Sequence, residues 1–178
     1  MLSGKFIPTI TTVNNIPFLI IAIIPTPLHN AFTFKKKKTS QTAIFYARGT
    51  PIRKRPKEVY SRETFGHWEL DTVVSPRGLS GCFATFVERK SRFYTAISMP
   101  DRTADSMESA IKLLHGMFPN GTFKTATTDR GGEFACFDAI KKDLGLTLYF
   151  ADPYCPHQRG SNEYSNGLLR EFYPKKPF

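Results

Sequence analysis

The stretch "HWELDTVV", from His67 to Val74, is the first part of the sequence with a clear structural pattern. Its β-branched and aromatic residues are typical of a strand, and the turn-forming residues "SPRG" follow it directly. An acidic residue, Asp71, lies inside this strand. The folded domain is therefore expected to begin at Gly66, with a carboxylate in its first strand.

The next segments predict a hairpin and a helix. "CFATFVER" and "RFYTAISM" flank the polar "ERKSR", which indicates an antiparallel hairpin from about Cys82 to Met99. An amphipathic helix should follow, with Thr103 as its N-cap and Gly116 at its end. Its apolar residues have the spacing i, i+3, i+4 and i+7: Met107, Ala110, Ile111 and Leu114.

The last part of the chain alternates strands and helices. "FKTATTD" predicts a strand that ends at Asp129, and "LTLYFA" predicts another over residues 146–151. Between them lies a helix of about residues 134–144, capped by Gly145, and a helix carrying Glu163 follows the second strand. The order β-β-β-α-β-α-β-α predicts an α/β fold, a mixed five-stranded sheet flanked by helices.

The net charge of +10 is concentrated in the first third of the 178 residues. Residues 1–65 contain 11 Lys/Arg against 2 Asp/Glu, a balance of +9, and the remainder is nearly neutral. Such an arm favours an anionic polymer, usually nucleic acid, although a solvated disordered leader has the same composition. The candidate DNA-binding cations of the arm are Lys35, Lys36, Lys37, Lys38, Arg53, Lys54 and Arg55.

Composition divides the chain into three segments. Residues 1–45 lack periodicity and are expected to be a disordered leader, residues 46–65 a basic linker, and residues 66–178 the folded core. The apolar run Ile16–Ile24 is too short and too rich in proline to span a membrane. The three cysteines have no zinc-ligand spacing and are expected to be reduced thiols. Without a targeting signal, the protein is expected to be cytoplasmic and nucleoid-associated when DNA-bound.

Three acids occupy related positions: Asp71 within the first strand, Asp129 at the end of the fourth, and Glu163 near the start of the last helix. If those two strands are neighbours, all three carboxylates can converge at one edge of the sheet. Clustered carboxylates remain ionised only around hard cations, and oxygen ligands favour Mg²⁺ or Mn²⁺. Two such ions about 3.5–4 Å apart catalyse phosphodiester chemistry. Each acid alone is more often a turn or cap residue.

Several motifs carry a family resemblance: "FGHWELDTV", "TFVERKSRF", "TTDRGGEFA" and "YFADPYCPHQRGSNEYSNGLLREFYPK". Over about residues 48–176 they closely resemble the catalytic core of bacterial insertion-sequence transposases of the DDE type, in the IS-thirty-type family of the retroviral-integrase superfamily. The resemblance implies a ribonuclease-H-like fold in which Asp71, Asp129 and Glu163 hold two divalent ions for DNA strand cleavage and strand transfer.

The resemblance also suggests DNA contacts near the last acid, by Arg159 in the approach loop and by Asn162 and Asn166, which flank Glu163. The polar face formed by the two asparagines could alternatively orient the acid. Arg170 is a candidate phosphate contact, or alternatively a solvated helix charge. Relative to this family, the chain looks shortened after "YPK", with an unrelated leader in place of helix-turn-helix modules.

Three functions are compatible with these residues: an active metal-dependent DNA strand transferase, an inactive transposase remnant that at most binds DNA, and a nuclease of the same fold. DNA ends and target DNA are the expected partners, and a homo-oligomer is compatible with the sequence.

Overall fold

The computed structural model describes residues 6–13, 16–23, 49–75 and 81–174. Eight strands form one sheet: β1 (Phe6–Val13), β2 (Ile16–Ile23), β3 (Thr50–Pro51), β4 (His67–Val74), β5 (Cys82–Glu88), β6 (Tyr94–Met99), β7 (Thr125–Thr128) and β8 (Thr147–Phe150). Four α-helices accompany them: α1 (Glu58–Ser61), α2 (Ala104–Gly116), α3 (Phe137–Leu144) and α4 (Gly160–Phe172).

Five strands, in the order β6-β5-β4-β7-β8, make the centre of the sheet. The first three are antiparallel, and β7 and β8 continue in parallel from β4. The predicted α/β fold, with its mixed five-stranded sheet and flanking helices, is confirmed. The first and fourth predicted strands, β4 and β7, are direct neighbours, and Glu69 pairs with Thr127 between them.

Further strands extend this centre at both ends. The two-residue strand β3 pairs with β8, and a β1–β2 hairpin joins the other edge through β6. The sequence of the leader predicts no strands, because the segment has no sustained periodicity, so β1 and β2 depart from the expected disorder. Its Lys35–Lys38 run lies outside the described residues, and the three proposed segment boundaries stay a prediction.

The main core lies on the sheet face covered by α2 and α3. Trp68 is fully buried there, and its ring stacks on Phe123 with 4.5 Å between centroids. All four residues of the predicted apolar stripe of α2 are buried. The Thr103 side chain accepts a hydrogen bond from the Ser106 amide at 3.3 Å, which confirms the predicted N-cap. Gly145 ends α3 in the left-handed region with φ +67°.

Helix α4 covers the opposite face of the sheet. Leu169 of this helix packs with Val73, Val87 and Tyr94 in a second, smaller core. Because side chains alternate along a strand, Asp71 lies on the same face of β4 as Val73. The face of the sheet that carries the candidate acid is therefore the one on which α4 lies.

No helix among the described residues is long and apolar enough to cross a membrane.

Candidate active site

Asp71 lies in the middle of β4 and is largely enclosed. One carboxylate oxygen, Oδ1, accepts a hydrogen bond from the Thr72 amide at 2.8 Å, and Oδ2 accepts one from Asn166 Nδ2 at 3.0 Å. Burial raises the pKa of the Asp71 carboxyl, the Arg159 guanidinium opposes that shift, and the charge on Asp129 adds to it. The carboxylate is therefore held in place by the strand, by α4 and by a nearby cation.

Asp129 follows the last residue of β7. Its Oδ1 accepts a hydrogen bond from the Gly131 amide at 2.9 Å, which fixes the turn after the strand. The parallel register that pairs Glu69 with Thr127 brings Asp129 level with Asp71 at the carboxyl edge of β7. The strand order thus brings together two of the three predicted carboxylates.

Arg159 lies between these two acids. Its Nη1 is 3.4 Å from Asp71 Oδ1, and its Nη2 is 3.3 Å from Asp129 Oδ2. The Arg159 side chain is 17% exposed and that of Asp129 37%, so this shared ion pair is largely enclosed on the Arg159 side and open to solvent at Asp129. A single positive charge therefore compensates the repulsion between the two carboxylates.

Glu163 occupies the first turn of α4, and its side chain is exposed. Among the residues that the structure describes, no three His, Cys, Asp or Glu side chains come close enough together to hold a metal ion. Glu163 is near the pair in the chain, four residues after Arg159. Its role as the third carboxylate stays a prediction.

Asn166 connects α4 to the site. Besides donating to Asp71, its Oδ1 accepts a hydrogen bond from the Tyr94 hydroxyl at 3.0 Å. Tyr94 is fully buried, and this burial raises the pKa of its phenol, which keeps the hydroxyl a donor. Asn166 thus contacts the Asp71 carboxylate, and its predicted DNA contact stays a prediction.

Two functional candidates carried no clear sequence signal. Glu69, two residues before Asp71, is fully buried and forms an ion pair with Arg89. Its second oxygen, Oε2, accepts a hydrogen bond from the backbone amide of Asn162, in α4, at 3.2 Å. The only available hint was that Glu69 shares a strand face with Asp71.

Glu133 was also missed. Its buried carboxylate accepts a hydrogen bond from Thr72 Oγ1 at 2.9 Å and pairs with Arg102 at 2.6 Å. It links the turn after Asp129 to the residue after Asp71. Gly131 makes room for it, because a Cβ at that position would lie 2.4 Å from Glu133 Oε2. The acid in "DRGGEF" was the signal that could have identified it.

The structure separates the predicted DNA-binding cations of the linker. Arg53 and Lys54 are exposed, whereas Arg55 is 5% exposed and donates a hydrogen bond to Thr127 Oγ1 at 2.9 Å. The Arg55 guanidinium also lies over the Tyr60 ring, 4.7 Å from its centroid. Arg55 therefore fastens the linker to β7.

Two predicted DNA contacts on α4 differ in exposure: Arg170 is half-buried and Asn162 is fully buried. Arg170 donates to the Val74 carbonyl at 2.6 Å and to the Tyr173 carbonyl at 3.4 Å, which joins the end of the helix to the end of β4. Asn162 is fully buried, and neither polar atom of its side-chain amide has a hydrogen-bond partner in the described part of the structure. Their DNA contacts stay predictions.

A cavity of about 400 Å³ opens beside the carboxylate pair. Asp129 and Arg159 form one wall, and the loop after β8, including Asp152 and Tyr154, forms another. Of the candidate acids, Asp129 lines this space, which is large enough for a substrate group to enter.

The carboxylates of the candidate site have the chemistry that a hard divalent cation binds. Asp71 and Asp129 offer carboxylate oxygens, the ligands that Mg²⁺ and Mn²⁺ prefer. The side-chain amide of Asn162, beside Glu163, has no hydrogen-bond partner in the described residues, as expected where a further polar group belongs. A metal ion would have to take the place of the Arg159 guanidinium, because that group now compensates both carboxylates.

The strand order and flanking helices define the fold class, an α/β domain of the ribonuclease-H-like type. An intasome of simian T-cell lymphotropic virus, solved in complex with the PP2A regulatory subunit B56 gamma, superposes with a TM-score of 0.51. The match has 19% sequence identity and covers 64% of this chain and 44% of the viral chain. No known family profile matches the chain.

Curated relatives identify the particular family. Transposase InsI for insertion sequence element IS30A, from Escherichia coli K12, is 35% identical over 140 residues, which are 79% of this chain and 36% of that transposase. The transposase for IS1086, from Cupriavidus metallidurans, is 39% identical over 126 residues, 70% of this chain and 36% of its own length. Over the matched residues the chain belongs to the IS30-type transposases, as the resemblance predicted. It spans little more than a third of these relatives.

Proposed function

We propose that this chain is the catalytic core of a DNA transposase that cleaves and joins DNA strands with the help of divalent metal ions. One observation carries the proposal: the Asp71 and Asp129 carboxylates, from neighbouring strands, converge on a single cation beside an open cavity. The two relatives described above are named transposases, which supports the same chemistry.

The metal ligands in this proposal are Asp71, Asp129 and Glu163. Two bound Mg²⁺ or Mn²⁺ ions would supply activation of the nucleophile and stabilisation of the leaving oxygen. Asn166 holds the Asp71 carboxylate through its side-chain amide, and Tyr94 fixes the orientation of that amide. The Gly131 amide orients Asp129 in the same way. Both acids are thus preorganised before any substrate arrives.

Two reactions of DNA follow from this chemistry. In cleavage, a water oxygen forms a bond to a backbone phosphorus, the bond from that phosphorus to the 3′ oxygen breaks, and a 3′-hydroxyl is released. In strand transfer, that 3′ oxygen bonds to a phosphorus of target DNA and displaces another 3′ oxygen. The exposed cations Arg53 and Lys54, with the Lys35–Lys38 run, are proposed to bind the phosphate backbone. Assembly of two DNA ends would require several copies of the chain.

The test is cleavage of labelled DNA carrying the terminal repeats of the element, by the purified chain with Mn²⁺. Asp129→Asn removes one metal ligand with little change in volume and should reduce cleavage to background. Asp138→Asn is the matched control, because Asp138 lies exposed on α3 and away from the carboxylate pair. A folded wild-type protein that neither cleaves nor joins DNA at any metal concentration contradicts the proposal.

One alternative has an observation in its favour. The exposed Glu163 and the lack of a three-residue metal cluster among the described residues are compatible with a catalytically inert core that only binds DNA. Under this alternative, wild type and Asp129→Asn bind DNA equally well and neither cleaves it. The same cleavage assay, run beside a binding assay, distinguishes the two functions.

A further inference from the structure

The Glu69–Arg89 pair lies inside the protein and joins three elements. The Glu69 side chain is 0% exposed and the Arg89 side chain 7%. Glu69 belongs to β4, and its Oε2 reaches the Asn162 amide at the start of α4. Arg89, just after β5, donates through Nε to the Val59 carbonyl of α1 at 3.2 Å. One ion pair therefore connects the sheet with two helices.

A contribution to the stability of the fold does not explain why this ion pair is buried. Removing a carboxylate and a guanidinium from water costs free energy that their mutual attraction only partly returns, and apolar residues of similar size often stabilise a fold as well. A buried ion pair is better suited to fixing one arrangement of the elements that it touches. Here the ion pair fixes the position of the beginning of α4 relative to β4.

The start of α4 lacks a cap from its own sequence. Arg159, at the N-cap position, makes no side-chain cap hydrogen bond, and the first N–H groups of a helix have no partner within the helix. Glu69, on strand β4, supplies the missing acceptor: its carboxylate accepts a hydrogen bond from the backbone amide of the third helical residue, Asn162. The negative charge also suits the positive end of the helix dipole.

The position of this contact in the chain matters for the site. Asn162 directly precedes Glu163, and Glu69 is two residues before Asp71 on the same strand face. Glu69 therefore lies close to Asp71 on β4 and holds the backbone of α4 directly before Glu163. It connects the positions of two predicted metal ligands. A shift of the start of α4 would move Glu163 relative to Asp71, and such small displacements of reacting groups are costly in catalysis.

We propose that Glu69 and Arg89 are positioning residues that hold the start of α4, and so set Glu163 relative to the Asp71–Asp129 pair. The inference rests on the proposed function for its catalytic consequence. The anchoring of α4 itself is measurable without any reaction.

The first measurement is amide hydrogen exchange in the metal-free protein, followed by NMR. Glu69→Gln should speed the exchange of the Asn162 backbone amide and its neighbours in the first turn of α4 by about tenfold or more, since the acceptor loses its charge and a single oxygen cannot accept from both Asn162 and Arg89. Glu88→Gln is the matched control. Glu88 is equally buried and bonds the amides of Gly66 and Ser91 instead of α4.

The second measurement is the kinetics of DNA cleavage. Glu69→Gln and Arg89→Met should lower kcat by about tenfold or more with little change in KM, because the loss affects the reacting geometry and not DNA binding. Arg89→Lys, which keeps the charge beside Glu69, should recover most of kcat. Glu88→Gln should retain the wild-type kcat when the assay temperature is set below its own unfolding transition.

These outcomes separate the two proposals. Unchanged exchange at Asn162 in Glu69→Gln, or the same acceleration in Glu88→Gln, overturns the anchoring role. A wild-type protein without activity overturns the proposed function, while the exchange data still decide whether Glu69 holds α4. If Glu69→Gln does not fold, Glu69→Asp gives the same comparison, because its carboxylate keeps the charge and is too short to reach both partners.

Discussion

At the scale of single residues, Arg159 neutralises the two candidate acids, Asp71 and Asp129. A guanidinium between two carboxylates gives them the compensation that a metal ion would give, in nearly the same place. Arginine stays charged at any ordinary pH, so only movement of the side chain can free the two acids. DNA phosphate is a suitable alternative partner for the guanidinium. Metal binding and release of Arg159 should therefore be coupled.

Arg159→Gln should strengthen the binding of Mn²⁺ to the Asp71–Asp129 pair. Removing the competing charge leaves Asp71 and Asp129 uncompensated, and a gain in affinity of about tenfold is expected from one nearby charge at the partly buried site. Isothermal titration calorimetry of the DNA-free protein measures this directly.

Arg102→Gln is the control for that variant. It removes the same charge, but from a guanidinium that pairs with Glu133 and not with the two aspartates. Equal gains in Mn²⁺ affinity for both variants would show an effect of net charge alone. Weaker Mn²⁺ binding in Arg159→Gln would contradict the competition between guanidinium and metal.

At the scale of elements, helix α2 supports the sheet from the face opposite the site. Met107 is fully buried against the main core, whereas Met117, just past the end of the helix, is 49% exposed. Met107→Ala should lower the free energy of unfolding by about 2–5 kcal/mol through lost burial and a residual cavity. Met117→Ala should change it by no more than about 0.5 kcal/mol. Urea denaturation followed by circular dichroism compares the two, and equal losses would contradict the assigned packing.

The elements were also what the sequence predicted best. The apolar stripe of α2 and the strand composition of β4 are local patterns, and local patterns determine local structure. Asp71 and Asp129 could be paired because parallel neighbours bring their ends together. The contacts of Glu69 with Arg89 and Asn162 could not be predicted, since they join residues up to 93 positions apart and follow no period. Arg55 was misleading because its charge suggested exposure, while its packing against Thr127 depends on tertiary structure.

At the scale of the whole molecule, basic charge and acidic site are separated along the chain. The balance of +9 belongs to residues 1–65, and the carboxylates belong to the nearly neutral remainder. Within the described linker, exposure separates Arg53 and Lys54, which can reach a phosphate, from Arg55, which is enclosed. DNA binding and DNA chemistry should accordingly be separable by mutation.

The double variant Arg53→Ala/Lys54→Ala should weaken DNA binding without loss of stability. Each phosphate contact releases about one counterion, so the slope of log K against log salt concentration should decrease by about 2. Fluorescence anisotropy with labelled duplex across a salt series gives this slope. Lys141→Ala/Lys142→Ala is the matched control, since it removes the same charge from exposed positions on α3. An equal decrease in that control would mean that the linker has no special part in holding DNA and that binding follows net charge alone.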